Sequence, residues 1–419
     1  METRLRRWLE AHADEAAAFL SQLIRAQSTA GCEREAQDLV AARLCDLGMD
    51  VDVWEPGGDE LLGHPCFCSP RTDFTGSPNV VGRWWGTGGG RSLLINGHID
   101  VVPPGEPEQW ARSPWSGHVE GGRIFGRGAT DMKGGIVAAL FAVEALRSLG
   151  VRLKGDLLFE SVVEEESGGA GTLAAILRGY RADAALIPEP TDLAVYPQQQ
   201  GSMWFRITVR GRGAHGGTRY QGVSAIEKAM AVIERLAELE KRRNASLLQD
   251  PLYRGVPIPV PINIGRIAGG NWPSSVPDLV TLEGRMGVAP GEKLEDARQE
   301  LESSLLLLGE ADPWFRAHPP AVAWFGARWL PGSISLDHPV LRVLTGNCRK
   351  VLGAEPEHKA SPWGTDGGLL AQVAGIPTVV FGPGVTAVAH CPNEYIELRR
   401  ILEVAAVYAL TIMEWCGCD

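Results

Sequence analysis

Histidines and carboxylates stand at the ends of apolar runs in this chain. Leu93-Leu94-Ile95 runs through Asn96-Gly97 into His98 and, two residues on, Asp100. The stretch LLFESVV leads into Glu164-Glu165-Glu166, and AALIP leads into Glu189. Asp131 lies in the glycine-rich GRGATDMKGG just ahead of a helical pattern, and His390 follows IPTVVFGPG after a short loop. Adjacent carboxylates repel, and a buried one costs several kcal/mol unless something compensates it. A bound divalent cation compensates several at once. Two histidines with three or four carboxylates and no thiolate suit zinc, with cobalt or manganese as substitutes. The donors outnumber the three that one open catalytic zinc requires. They would serve two ions roughly 3.5–4 Å apart sharing one carboxylate. Taken singly, each feature has a plainer reading: a surface His-x-Asp pair, a solvated glutamate turn, an ordinary Glu-Pro-Thr. Their shared position after apolar runs is what sets them apart.

The elements that must position these groups alternate between strand and helix. LLIN, DLLFESVV, ADAALIP and IPTVVFGPG read as short buried strands. GGIVAALFAVEALRSLG reads as a helix with Ile136, Ala139, Leu140, Val143 and Leu146 on one face and Gly150 as its stop. This pattern predicts an α/β fold, a mainly parallel sheet with helices on both faces. In such sheets ligands gather beyond the carboxyl ends of the strands, which would bring the five segments to one edge. The character changes near Gln200. SMWFRITVRGRGAH, PINIGRIAGG and LVTLEGRMGV alternate with period two and are interleaved with amphipathic helices. Residues 1–199 and 331–419 are expected to form the larger domain, and 200–330 an inserted smaller α+β domain. Hinges are expected near 198–202 and 328–333, where glycine and proline cluster.

Bulk properties narrow the function further. The 419 residues carry 40 basic and 51 acidic side chains, a formal charge of −11, which disfavours nucleic acid or an anionic membrane as partner. Lys241-Arg242-Arg243, the one tight basic run, reads as a solvated helix end. No apolar stretch reaches the ~18 residues of a membrane span. Near the N-terminus Trp8, Leu9, Ala16, Phe19, Leu20, Leu23 and Ile24 fall at helical spacing, predicting one amphipathic helix rather than a signal peptide. Cys66-x-Cys68 and Cys416-x-Cys418 lack the spacing of a zinc knuckle or redox motif, so free thiols and a cytoplasmic setting are expected.

In order along the chain, GHIDVVP, GRGATDMKGG, EEESGGAGT, EPT, GAHGG and AHCPNEY resemble the zinc-dependent amidohydrolase and exopeptidase family. That family includes acetylornithine deacetylase, succinyl-diaminopimelate desuccinylase, aminoacylase and the glutamate-releasing carboxypeptidases. The likeness spans residues 79 to 396 and is nearest in character to the acetylornithine deacetylase-like deacylases. It implies two zinc ions: His98 and Glu189 on the first, Glu166 and His390 on the second, and Asp131 bridging both. It implies that Asp100 hydrogen-bonds His98 and fixes its ring, and that Glu165 is the general base toward water activated at zinc. Relatives usually show Asp-Glu-Glu where this chain has Glu164-Glu165-Glu166; counting back from Ser167 puts Glu164 at the aspartate position. A frame slipped by one would make Glu164 the base. Glu189, where an aspartate goes with aminopeptidases, points to acylases and carboxypeptidases. His215 would stabilise the oxyanion, often across a dimer interface, and Arg285 would bind a substrate carboxylate. Thr365, Asp366 and Gly382 would line the pocket.

The function expected is hydrolysis of the amide bond of a small N-acylated amino acid or related amine, by a homodimer whose inserted domain serves as lid and dimer contact. Within enzymes the alternatives are a carboxypeptidase or dipeptidase on the same metal core, or a deformylase of an N-formyl aminopyrimidine. Outside enzymes the alternative is a non-catalytic metal-binding module, against which an intact Glu165 argues.

Overall fold

The computed structural model describes all 419 residues. Strands Leu93–His98, Leu157–Val162 and Ala185–Ile187 are buried along their whole length. Strands covered on both faces need apolar side chains on both, so their sequences run on without alternation. With Thr378–Val380 they make a parallel centre in the order Leu157–Val162, Leu93–His98, Ala185–Ile187, Thr378–Val380.

The flanks are antiparallel. Asn79–Trp84 pairs with Leu157–Val162, Asp50–Trp54 lies outside it, and Val195–Gln199 follows Thr378–Val380 on the other side. The nine-stranded sheet is therefore mixed, and the parallel character expected belongs to its four central strands. The connections give the reason. Parallel neighbours need a long crossover. The helices Gly134–Ser148 and Ala170–Leu177 supply it in the centre. Between Asp50–Trp54 and Asn79–Trp84 there is only the single turn Asp59–Leu62 and an irregular loop.

Helices cover both faces. Asn96 donates from Nδ2 to Thr172 Oγ1 of the helix Ala170–Leu177 at 2.8 Å, while its neighbour Gly97 abuts Ile136 of the helix Gly134–Ser148. Successive strand residues point to opposite faces, so these two helices lie on opposite sides. Gly134–Ser148 packs on the C-terminal helix Leu398–Cys416, which also meets Pro339–Leu352. At its start, a Cβ on Gly135 would lie 2.0 Å from the carbonyl oxygen of Pro188. Only glycine lets the segment after Asp131 approach the segment before Glu189 so closely.

The N-terminal pattern forms two helices, Glu2–Ala11 and Ala13–Arg25, where one was expected; the backbone leaves the helical range at His12. Their apolar residues are buried as the spacing implies, with Leu5, Leu9, Leu20, Leu23 and Ile24 in the core. The end of the second is tied to the Asp131 loop. The buried Lys133 donates from Nζ to the carbonyls of Leu23 at 2.7 Å and Ala26 at 3.1 Å, which would otherwise lack partners at a helix C-terminus.

Two compact units result. The larger comprises Met1–Gln198, Gly332–Lys359 and Thr365–Asp419; the smaller comprises Gln199–Pro331 and Ala360–Gly364. The last short piece was not part of the inserted segment drawn from sequence. The smaller unit holds a four-stranded antiparallel sheet in the order Ile262–Gly269, Leu279–Val288, Gly201–Arg210, Ala321–Trp329. Met203, Phe205, Ile207 and Val209 alternate inward from Gly201–Arg210 and pack with Ala225–Leu247 and Leu294–Leu306. No helix is long and apolar enough to cross a membrane. All eight cysteines are free thiols.

Gly135→Ala should lower the stability of the larger unit by about 1–3 kcal/mol, the usual cost of overpacking. Scanning calorimetry of the full chain would show it as a lower first transition; an unchanged thermogram would mean that the close approach to Pro188 carries no strain.

Candidate metal centre

Asp131 stands between the two histidines. Its Oδ1 lies 3.3 Å from His98 Nε2 and its Oδ2 lies 3.2 Å from His390 Nε2. Glu189 Oε1 is 3.5 Å from His98 Nε2, and Glu166 Oε1 is 3.0 Å from His390 Nε2. Ligand atoms on a tetrahedral ion with ~2.0–2.1 Å bonds are about 3.3 Å apart, so both clusters have the span of a coordination sphere. Asp131 offers one oxygen to each. The donors are imidazole nitrogen and carboxylate oxygen, without sulfur. They fit two divalent ions, one held by His98, Asp131 and Glu189, the other by Asp131, Glu166 and His390. Glu165 also belongs to the compact group around His98 and Glu189.

The first histidine is oriented by the backbone. His98 Nδ1 is 2.8 Å from the main-chain oxygen of Asp100, whereas the Asp100 carboxylate is 3.7 Å away. An N–H on Nδ1 donating to that carbonyl leaves the Nε2 lone pair for a cation. The expected role of Asp100 is thus corrected: its main chain fixes the ring, and its side chain does something else. Its carboxylate accepts from the amides of Glu165 at 3.3 Å and Glu166 at 3.1 Å. The strand that bears the first histidine thereby holds the turn that bears Glu165 and Glu166.

Glu164 stands apart from both clusters. Its Oε2 accepts from Arg71 Nε at 2.7 Å, and its side chain is 2% exposed. It is committed to an ion pair, while Glu165 and Glu166 fall in the groups around His98. Glu164 adopts a positive φ of 68°, uncommon for a side chain with a Cβ, and the turn closes where Gly169 N–H donates to its carbonyl at 2.8 Å.

The loops bearing Asp131 and His390 share an anchor. Glu394 Oε1 accepts from the amides of Thr130 at 2.8 Å and Asp131 at 3.2 Å. Its Oε2 accepts from Arg127 Nη1 at 2.6 Å, and Arg127 Nη2 donates to the His390 carbonyl at 3.2 Å. Glu394 and Arg127 are both buried. Sequence reasoning passed over both, although Glu394 lies inside AHCPNEY and Arg127 inside GRGATDMKGG. A buried charge in a motif that has no metal ligand to be was the available signal.

Electrostatics match the geometry. Burial pushes Glu189 up to about 8, with the charge of Asp131 adding to it. Burial also lifts Asp100 to about 7 and holds Glu165 well above the usual carboxylate range, although His98 pulls Glu165 the other way. Asp131 is driven below that range because hydrogen bonds from His390 and His98 outweigh its burial. Hydrogen bonds to Asp131 and Glu166 raise His390 to about 11. Burial disfavours charge on His98, yet Glu189 and Asp131 raise it well above its ordinary value. The carboxylates around both histidines thus favour positive charge beside them, the surroundings in which a divalent cation would be held.

Other expected site residues divide. Gly382 spends its N–H and carbonyl on Thr191 Oγ1, and a Cβ there would lie 2.3 Å from the Glu189 carbonyl, so its backbone packs against the segment that bears Glu189. Thr365 and Asp366 are each 2% exposed. Asp366 Oδ2 accepts from Thr172 Oγ1 at 2.7 Å, and its charge helps raise Glu165, so it stands behind Glu165 in the interior. His215 and Arg285 belong to the smaller unit. His215 is exposed and its Nδ1 accepts from Gly217 N–H at 3.1 Å, which places the ring proton on Nε2 as an available donor. Arg285 is half-buried, no carboxylate pairs with it, and burial alone lowers its pKa.

A metal-dependent hydrolase is the class of protein that this fold and donor set define. The model of peptidase family M20/M25/M40 matches residues 94–414, and the chain belongs to that family. It is 35% identical to N-formyl-4-amino-5-aminomethyl-2-methylpyrimidine deformylase of Halalkalibacterium halodurans, over 91% of this chain and 89% of the relative. It is 29% identical to acetylornithine deacetylase of Klebsiella pneumoniae, over 90% of each. Among solved structures, a tripeptidase of Staphylococcus aureus superposes with a TM-score of 0.75 at 22% identity, covering 96% of this chain and 98% of that one. The protein is an amidohydrolase that cleaves the amide of an N-acylated amino acid or related amine.

Substitution separates the roles. Glu165→Gln should retain its metal by atomic absorption and lose activity by at least ~10²–10⁴-fold, the worth of a general base. Glu166→Ala should lose one equivalent and Asp131→Ala both. Metal loss in Glu165→Gln with full retention in Glu166→Ala would reverse the two assignments.

Proposed function

We propose that the enzyme removes the formyl group from an N-formylated aminomethylpyrimidine or a closely related heterocyclic methylamine, using two zinc ions. The observation that carries this reading is the 35% identity, sustained over nearly the whole of both chains, to a relative bearing that activity. The complete donor set supports a working metal centre. When bound, the ions supply Lewis acidity to water and to the acyl oxygen. His98, Asp131, Glu189, Glu166 and His390 would hold them. Glu165 takes a proton from the attacking water and hands it to the leaving amine nitrogen. A carboxyl whose burial raises its pKa above the usual carboxylate range suits both transfers. Asp100 keeps that carboxylate in place through the amides of Glu165 and Glu166. His215 Nε2–H is the donor for the developing oxyanion.

A second reading, hydrolysis of an N-acylated amino acid, is favoured by Arg285. A half-buried guanidinium with no carboxylate beside it suits a substrate that brings one. The formylated pyrimidine has none. Two further proposals concern the assembly and its setting. Strand Ile262–Gly269 is an exposed sheet edge, and helix Ala225–Leu247 presents Ile226, Met230 and Ile233 outward. Both features support a homodimer formed through the smaller unit, which would also serve as a lid. Eight free thiols support a cytoplasmic setting.

Release of free amine from N-formyl-4-amino-5-aminomethyl-2-methylpyrimidine and from N-acetylornithine, measured side by side, decides between the readings. The pyrimidine should be the better substrate by kcat/KM, and Arg285→Gln should leave its turnover unchanged. A preference for acetylornithine that collapses in Arg285→Gln would establish the second reading instead. With the better substrate, His215→Ala should lower kcat by ~10²–10³-fold at unchanged metal content, the range for one lost oxyanion donor.

A further inference from the structure

The turn that bears Glu165 and Glu166 is gripped from outside by a residue nearly a hundred positions earlier. Arg71 lies in the irregular loop between strands Asp50–Trp54 and Asn79–Trp84. Its three nitrogens are all used. Nε donates to Glu164 Oε2 at 2.7 Å, Nη2 to Glu33 Oε1 at 3.2 Å, and Nη1 to Ser77 Oγ at 3.0 Å. Ser77 Oγ in turn donates to Glu33 Oε2 at 2.6 Å. The guanidinium lies over the ring of Phe74, 4.7 Å from its centroid. Glu33 and Ser77 are completely buried.

We propose that Arg71, seated on Glu33 and Ser77, is a positioning residue for hydrolysis: it clamps Glu164 so that the next two side chains reach the base and metal-ligand positions. The argument rests on three observations. First, two carboxylates buried beside each other, Glu33 and Glu164, tolerate that company only with a cation between them. Packing alone would be served better by apolar residues, so the charges mark a requirement for direction. Second, Glu164 is the hinge of the turn. Its positive φ reverses the chain, and its carbonyl closes the loop at Gly169. Holding its side chain fixes the start of the segment, as Asp100 fixes the two amides that follow. Third, the loop of Arg71 also touches the far side of the turn, where Cys68 Sγ lies 3.6 Å from the Gly168 carbonyl. The grip depends on reach and on shape. Aspartate at 164 is one methylene too short for this pair, and lysine at 71 offers a point charge where the structure uses a three-pronged fork.

The inference rests on Glu165 as base and Glu166 as ligand, and is independent of which acyl amine is the substrate. It can be tested on Arg71→Lys, Arg71→Ala and Glu164→Asp in the full chain. Zinc affinity would be read by competition with a chromophoric chelator, thermal unfolding by calorimetry, and kcat and KM on whichever amide the wild type cleaves. In Arg71→Lys and Glu164→Asp the weaker-bound zinc equivalent should lose affinity by ~10–100-fold, the usual cost of removing a partner that orients a ligand. The other equivalent should be retained, and kcat should fall at least tenfold while KM moves less than threefold. Arg71→Ala should be more severe in the same direction; should it fail to fold, the two conservative variants decide. Variants that melt earlier but keep wild-type zinc affinity and kcat would overturn the clamp and leave Arg71 an ordinary structural ion pair. Wild-type protein binding two equivalents in the same titration keeps the metal-site assignment standing, so such a result would sink the clamp alone. A wild type that takes up no zinc would overturn both.

Discussion

The arrangement turns on one carboxylate shared between two imidazoles. Asp131 faces His98 with one oxygen and His390 with the other, and both contacts are short. Around it Glu166, Glu189, Glu165 and Asp100 bring four further carboxyl groups together, and Glu189, Glu165 and Asp100 are buried. Taking one uncompensated carboxylate out of water already costs several kcal/mol. Five in one place are tolerable only if the surroundings supply positive charge and N–H donors in matching number. The design of the larger unit can be read as the answer to that demand.

The answer comes from backbone amides and distant cations more than from neighbouring side chains. Asp100 accepts two amides, and Glu394 accepts two more while pairing with Arg127. Arg71 compensates Glu164 and Glu33. Lys133 spends its charge on helix-terminal carbonyls beside the Asp131 loop. Each device does double duty, because a carboxylate that accepts main-chain amides also fixes where that main chain runs. Electrostatic compensation and geometric precision are therefore the same interactions here, and loosening one loosens both.

Much of this was legible in the sequence, and the rest was not, for definite reasons. The buried parallel strands showed as unbroken apolar runs, and the residues that follow them, His98, Glu166 and Glu189, stand at the site as that pattern implied. The antiparallel flanks escaped because Asp50–Trp54 and Asn79–Trp84 look like strands from any topology, and their sequences do not say which neighbour each pairs with or in which direction. The role of Asp100 was misread because spacing places it beside His98 without saying whether main chain or side chain makes the contact. Arg71 and Glu33 were invisible. An arginine in an irregular loop carries no periodicity, and its carboxylate partners are 38 and 93 residues away. The close approach of Gly382 to the Glu189 backbone was not legible either, because nothing in the sequence pairs two loops nearly two hundred residues apart.

Glu164, Glu165 and Glu166 are chemically identical and consecutive, yet the structure gives them three different surroundings. Side-chain chemistry cannot separate them, so the separation lies in the turn. At Glu164 a positive φ throws the side chain toward Arg71 and the buried Glu33. The following residues start a short 3-10 turn, in which neighbouring side chains diverge. One therefore joins His98 and Glu189, and the other meets His390. Environment then completes the distinction. An adjacent guanidinium opposes the effect of burial on Glu164, whereas burial and neighbouring carboxylates hold the pKa of Glu165 high. A group that must both accept and return a proton needs that second environment, and a group that anchors a turn needs the first. A run of three glutamates is consequently uninformative as composition. With one residue of the run pinned by a cation outside the two clusters, the turn carries its neighbours to different places, one beside His98 and Glu189 and the other beside His390.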